Sequence, residues 1–171
     1  LDLRPRTIES ILIQAPHCTT YSGREKPYGY VDWWPISLHI NNLEWPFDDS
    51  RVRWAMAYAI DQEQVVEIGW NGAGRSSAHP FPEYPGITKY LDYCKDIMDE
   101  YNPLEGDLDK SADLMKEAGF EKDDEGFWVD AEGNRPNADI YASATFFADT
   151  APLMAEQLRT AGMMSRMRSL W

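Results

Sequence analysis

The sequence predicts an α/β fold (or its α+β relative), with helices packed on a small mixed sheet, and three observations predict it. Apolar residues recur at helical spacing in Val52, Ala55, Met56, Ala59 and Ile60. They alternate at strand spacing in Ile36, Leu38 and Ile40, against Ser37, His39 and Asn41. Caps and turn residues separate such segments along the chain, so helices and strands are interspersed. A length of 171 residues suits one domain.

Taken in order, residues Ile8–Ala15 read as a strand, with Ile11 and Ile13 alternating imperfectly against Ser10, Leu12 and Gln14. Residues 16–29 are rich in Thr, Ser, Gly, Pro and Tyr and read as a loop. A half-buried strand follows at Ile36–Asn41. Asp48, Asp49 and Ser50 then offer N-cap side chains for the helix that begins at Val52. Asp61 restarts the pattern, with Gln64 three residues on as a variant capping box, and Val65, Val66 and Ile68 carry it to Gly69. Residues 71–90 read as a long Gly/Pro-rich loop. A third helix runs from an Asp107 cap to Ala118, and Gly119 stands where a left-handed residue ends a helix. Phe127–Val129 and a strand near Ile140–Ala142 flank Asp130-Ala131-Glu132-Gly133-Asn134, which reads as a hairpin turn. Thr150 caps a fourth helix that tolerates Pro152 in its first turn and stops at Gly162. Met163–Trp171 reads as a last strand.

Composition narrows the function classes. A formal charge of -13 repels phosphate backbones and anionic membranes, so nucleic acid is a poor partner. The acidic clusters at residues 92–105 and 117–130 read as solvated faces. No apolar run approaches the length of a transmembrane helix, and no segment of these residues reads as a signal peptide. The chain opens Leu1-Asp2-Leu3-Arg4, which suggests a processed chain or a fragment. Cys18 and Cys94 are either one disulfide or two free thiols, because spacing alone establishes neither. No metal site emerges: His17-Cys18 with Cys94 lacks zinc spacing, and no segment fits a calcium loop. Gly72-Ala73-Gly74-Arg75-Ser76 lacks the lysine of a phosphate-binding loop, and no cofactor is implied. His79 reads as a surface histidine rather than a ligand-binding one.

Five ordered blocks carry a resemblance. They are Ile36-Ser37-Leu38-His39-Ile40-Asn41-Asn42; Pro46-Phe47-Asp48-Asp49-Ser50-Arg51-Val52-Arg53-Trp54-Ala55 running to Ala59-Ile60-Asp61; Gly72 and Gly74 with Arg75; Glu117-Ala118-Gly119-Phe120; and Gly126-Phe127-Trp128, ahead of a helix ending at Leu158–Gly162. In this order they resemble the family 5 solute-binding proteins of ABC importers, which include oligopeptide-, dipeptide- and nickel-binding proteins. Ile40 stands where the family usually has Phe. The resemblance covers about three quarters of the chain. It implies part of a periplasmic-binding-protein-like type II lobe. Residues 36–171 correspond to part of the C-terminal lobe, and residues 1–35 are a poorly matched segment near the crossover. The later segment from which many peptide-binding members present an acidic residue to the peptide amine is not among these residues.

Pro46, Phe47, Asp48, Asp49, Arg51, Arg53, Asp61 and Gly119 read as scaffold. Arg51 and Arg53 sit in the first turn of their helix, where the macrodipole disfavours cations, so carboxylates such as Asp48 or Asp49 are expected to pair with them. The ligand-facing candidates are Asp32, Trp33, Trp34 and Trp171. Flat indoles stack on peptide side chains or sugar rings, and Asp32 can accept hydrogen bonds from an amine or from hydroxyls. The alternative for Trp33 and Trp34 is packing of the N-terminal segment.

The resemblance implies a binding protein, not an enzyme. Its expected partners are a peptide ligand, an ABC permease in the membrane, and another lobe of the same protein. Its expected location is periplasmic or extracellular. An oligosaccharide is the alternative ligand. A glycoside hydrolase is the reading from another class, but no motif places two carboxylates across a cleft, and no nucleophile elbow or His-based triad is present.

Overall fold

The computed structural model describes residues 4–29, 35–82, 84–104 and 106–170. Its first element corrects the sequence reading: Pro5–Gln14 is a helix, α1, and not a strand. Pro5 enters at the first helical position, where its missing N–H costs nothing. Ile8, Ile11 and Leu12 then fit spacings of three and one as well as they fit alternation, and a short apolar run cannot separate the two periods. Only Leu12 of this helix is buried. The Arg24 guanidinium closes its C-terminal end by donating to the Leu12 and Pro16 carbonyls at 2.7 and 3.1 Å, and to the Cys18 carbonyl.

The segment at residues 36–41 keeps part of its alternation but pairs with no strand among the described residues. Leu38 and Ile40 pack against the core, while Ser37, His39 and Asn41 are exposed. Ile36 departs from the pattern and is exposed.

Helix α2, Ser50–Ala59, starts where its cap predicts: the Asp49 carboxylate accepts from the Arg51 N–H at 2.8 Å. A three-residue turn of helix, α3 (Gln62–Gln64), restarts after Asp61, whose carboxylate accepts from Gln64 N–H at 2.9 Å. A π-helical turn carries it on through Val65–Gly69. Within the expected loop the structure adds α4 (Pro85–Thr88). A 3₁₀ turn at Leu91–Cys94 and α5 (Lys95–Glu100) follow it. None of these three segments buries a residue, so no apolar stripe announced them.

Helix α6, Leu108–Glu117, is capped by Asp107, which accepts from Lys110 N–H at 2.8 Å. Gly119 ends it with φ +92°. The core lies where α6 crosses α2: Val52, Ala55 and Met115 are wholly excluded from water. The Ser111 hydroxyl reaches across to the Ala55 carbonyl at 2.8 Å, so this buried hydroxyl is satisfied.

The hairpin falls earlier than expected. Strands β1 (Glu121–Lys122) and β2 (Trp128–Val129) pair antiparallel, with Glu121 opposite Val129 and Lys122 opposite Trp128. Asp123 makes the turn by accepting from the N–H groups of Glu125 and Phe127, each at 2.9 Å. The Asp130–Asn134 turn exists, with Asp130 accepting from Glu132 and Asn134, but joins no hydrogen-bonded pair. Two Asp-led turns lie seven residues apart, and their composition cannot say which one closes a hairpin. Strand β3 (Ile140–Ala142) instead pairs in parallel with β4 (Met167–Ser169), across helix α7 (Thr150–Thr160). Parallel neighbours require such a crossover. The cap of α7 is Asp149, one residue before the expected Thr150, and it makes no side-chain cap bond.

Candidate functional site

In open α/β sheets ligands bind outside the carboxyl ends of parallel strands. Here that end is marked by Ala142 on β3 and Ser169 on β4, and the Leu170 N–H continues the pairing to the Ala142 carbonyl at 3.0 Å. The chain leaves β3 through residues 143–149. Arg4, just before α1, grips this loop, donating to the Thr145 and Phe146 carbonyls at 2.6 and 3.2 Å. The same guanidinium lies 5.6 Å from the centre of the Trp70 ring, a cation–π distance.

Next to Trp70, one carboxylate gathers three chain segments. Glu9 on α1 accepts from the Tyr28 hydroxyl at 3.3 Å and from the Asn71 amide at 3.1 Å, and Lys26 Nζ stands 3.6 Å away. Tyr28 and Asn71 have φ of +64° and +50°, and they are the non-glycine residues with left-handed backbone among those described. Such backbone costs of order 1–3 kcal/mol per residue and persists where surrounding contacts over-determine it. Here both strained residues turn their side chains onto Glu9. Burial, and then the Glu9 charge and hydrogen bond, push the Tyr28 hydroxyl above its ordinary pKa. The phenol therefore stays a donor throughout the physiological range.

Asp32, Trp33, Trp34 and Trp171 lie outside the described residues. Tyr28 of the Glu9 network lies four residues before Asp32, and Leu170, which follows β4 and immediately precedes Trp171, bonds the Ala142 carbonyl. Sequence reasoning missed Glu9, Tyr28, Asn71 and Arg4, because nothing in their spacing brings them together. The Pro27-Tyr28-Gly29 and Asn71-Gly72 turn signals were the only trace.

The scaffold residues fall as expected, with one difference. Pro46 is buried, Phe47 packs on the core, Asp48 is exposed, and Asp49 and Asp61 cap helices. Arg51 pairs with Asp49 at 2.5 Å and holds its carboxyl below the usual range. Arg53 makes no such pair among the described residues; it donates to the Phe47 and Asp48 carbonyls at 2.6 and 3.0 Å. Main-chain oxygens at the turn thus take one of the two cations. Cys18 and Cys94 are free thiols. His79 is half-buried and stacks on Phe81 at 4.9 Å. No His/Cys/Asp/Glu group among the described residues could hold a metal ion.

Residues 13–171 match the description "Bacterial extracellular solute-binding proteins, family 5 Middle". The chain belongs to this family. Family 5 members act outside the cytoplasm, and no helix among the described residues is long and apolar enough to cross a membrane. The chain is 36% identical over 96 residues to heme-binding protein A of Haemophilus influenzae, covering 54% of this chain and 15% of that protein. It is 34% identical over 93 residues to the dipeptide-binding protein of Escherichia coli, again 54% of this chain and 15% of that one. Among solved structures, a periplasmic oligopeptide-binding protein of Thermotoga maritima superposes with a TM-score of 0.79 at 24% identity, over 93% of this chain and 30% of that one. Its mannohexaose-bound form gives 0.75 at 22%, over 94% and 30%. The fold is therefore that of part of a type II periplasmic-binding-protein lobe, and the chain spans well under half the length of these relatives.

Proposed function

We propose that this family 5 chain is part of the substrate-binding component of an ABC importer, which captures oligopeptides in a cleft between two lobes and delivers them to a membrane permease. Residues 36–171 supply part of the second lobe, and residues 1–35 lie near the crossover. The protein works in the periplasm or outside the cell, and it binds its solute without chemistry. The observation that carries this reading is the family match over nearly the whole chain, together with the dipeptide- and oligopeptide-binding relatives. Closure of two lobes is a hinge motion, biased by ligand contacts that exist only when both lobes meet. Arg4 grips the loop that leaves β3, Tyr28 of the Glu9 network lies four residues before Asp32, and Leu170 directly precedes Trp171; Asp32, Trp33, Trp34 and Trp171 are the proposed ligand-facing residues.

A second reading, an oligosaccharide ligand, is favoured by one observation: a relative named as an oligopeptide-binding protein holds mannohexaose. Tryptophan fluorescence of the full-length protein, titrated separately with short peptides and with β-linked oligosaccharides, decides between them. Saturation by peptides alone supports the first reading and makes Trp33 and Trp34 packing residues. Saturation by sugars alone supports the second and makes them the stacking platform. No response to either sinks both.

A further inference from the structure

A second cleft, of about 540 Å³, opens between α2 and the start of α6, and no residue of the parallel strands lines it. It is lined by Tyr58, Asn102, Gly106, Asp107, Asp109 and Lys110 among others. Tyr58 is one turn beyond Trp54 on α2, and their rings stack at 5.9 Å. The Tyr101 ring also lies 5.3 Å from that of Trp54. Over the Tyr58 ring sits the Lys110 ammonium, 4.1 Å from its centre, and Lys110 makes no ion pair among the described residues. The Tyr58 hydroxyl is the unusual group. The residue is 3% exposed, and its phenolic oxygen, itself buried, has no hydrogen-bond partner among the described residues. Buried polar atoms are nearly always paired, so an orphan beside a cleft asks for a ligand.

We propose that this cleft binds an organic ammonium or guanidinium group, in competition with Lys110, which occupies the aromatic face from within the chain. A cation gains from the faces of aromatic rings, and the lysine shows that an ammonium fits over this one. An N–H-bearing cation also gives the Tyr58 oxygen the donor it lacks. The α6 N-terminus contributes about half a positive charge, which alone would favour an anion. The Asp107 and Asp109 carboxylates at that terminus outweigh it, and the net charge of -13 acts in the same sense. This site does not depend on which solute the interlobe cleft takes.

The test follows the tyrosine ring resonances of full-length protein by NMR, with Tyr58 assigned through Tyr58→Phe. The probes are n-butylammonium, tetramethylammonium (which has no N–H) and inorganic phosphate. Lys110→Met removes the internal competitor from an exposed position, so butylammonium should bind at least fivefold more tightly. Tyr58→Phe should weaken butylammonium at least threefold and leave tetramethylammonium unchanged. Weaker butylammonium binding by Lys110→Met, phosphate binding that this variant abolishes, or no saturable shift in either protein would each overturn the proposal. Should Tyr58→Phe fail to fold, the Lys110→Met comparison decides alone.

Discussion

Helices α1 and α2 are each ten residues long, yet they are held in place by different forces. Helix α2 buries Val52, Ala55, Met56, Tyr58 and Ala59, and its partner α6 buries Ser111 and Met115. Helix α1 buries only Leu12 and leaves Ile11 and Ile13 in solvent. What fastens α1 is polar: Arg4 before it and Glu9 within it bind backbone or side chains of distant loops, and Arg24 after it binds the carbonyls at its C-terminal end. A buried apolar face is worth about 1.5–3 kcal/mol per large side chain. A hydrogen bond nets about 0.5–1.5 kcal/mol, and exposed ion pairs often less. The first region should therefore carry the stability of the chain. The second should carry its conformational adjustability, next to the carboxyl end of the parallel strands.

The widest separation of the two regions should come from paired truncations. Leu158, on α7, is fully excluded from water. Leu158→Ala should destabilise by about 2–5 kcal/mol, the range for a buried leucine that leaves a cavity. Ile13→Ala, at a position 79% exposed, should stay within about 0.5 kcal/mol. Urea unfolding of both variants measures this. Equal costs would mean that Ile13 is covered in solution and that the contrast drawn here is false.

A smaller effect separates two glycines inside the packed region. Gly162 and Gly119 have φ of +96° and +92°, so alanine strains both backbones alike. A Cβ at Gly119 meets nothing within 4 Å, whereas one at Gly162 would stand 2.7 Å from the Gly126 carbonyl oxygen. Gly119→Ala should cost about 1–2 kcal/mol from backbone strain alone. Gly162→Ala should cost measurably more in the same urea experiment. Similar costs would show that the β1–β2 hairpin is free to move away from the end of α7.

The same division explains what the sequence made legible. The α2 and α6 boundaries and the ends of α6 and α7 follow from local chemistry: an Asp cap, an apolar stripe and a left-handed glycine, all within one segment. The misreadings came where local chemistry is degenerate. Residues 8–15 fit two periods, and the Asp123 and Asp130 turns compete for one hairpin. The pairing of β3 with β4 is settled by residues 25 or more apart, which no local pattern encodes. The Glu9 network lies still further from sequence, because its members are single polar residues in α1 and two loops. Of the candidate site, only its aromatic neighbours stood out, by composition rather than by contact.

The smallest effect tests that network directly. Glu9→Gln keeps an acceptor oxygen for Tyr28 and Asn71 but removes the negative charge. Burial is the first cause of the raised Tyr28 pKa, with the Glu9 charge and its hydrogen bond behind it. The variant should therefore titrate lower than the wild type, yet still above the ordinary tyrosine value of about 10. A phenol whose folded pKa is raised adds stability that is complete below the unfolded value and is lost as pH rises through the folded one. Both proteins should lose this contribution from the unfolded value upward, and the wild type, with the larger shift, should lose more of it and to a higher pH than Glu9→Gln. Ring-carbon NMR of Tyr28 across the alkaline limb reads the titration, and urea unfolding at the same pH values reads the stability. An unchanged Tyr28 titration would mean that Glu9 does not face the phenol in solution. The strained backbone at Tyr28 and Asn71 would then need another cause, and the site would lose the one carboxylate that ties its three segments together.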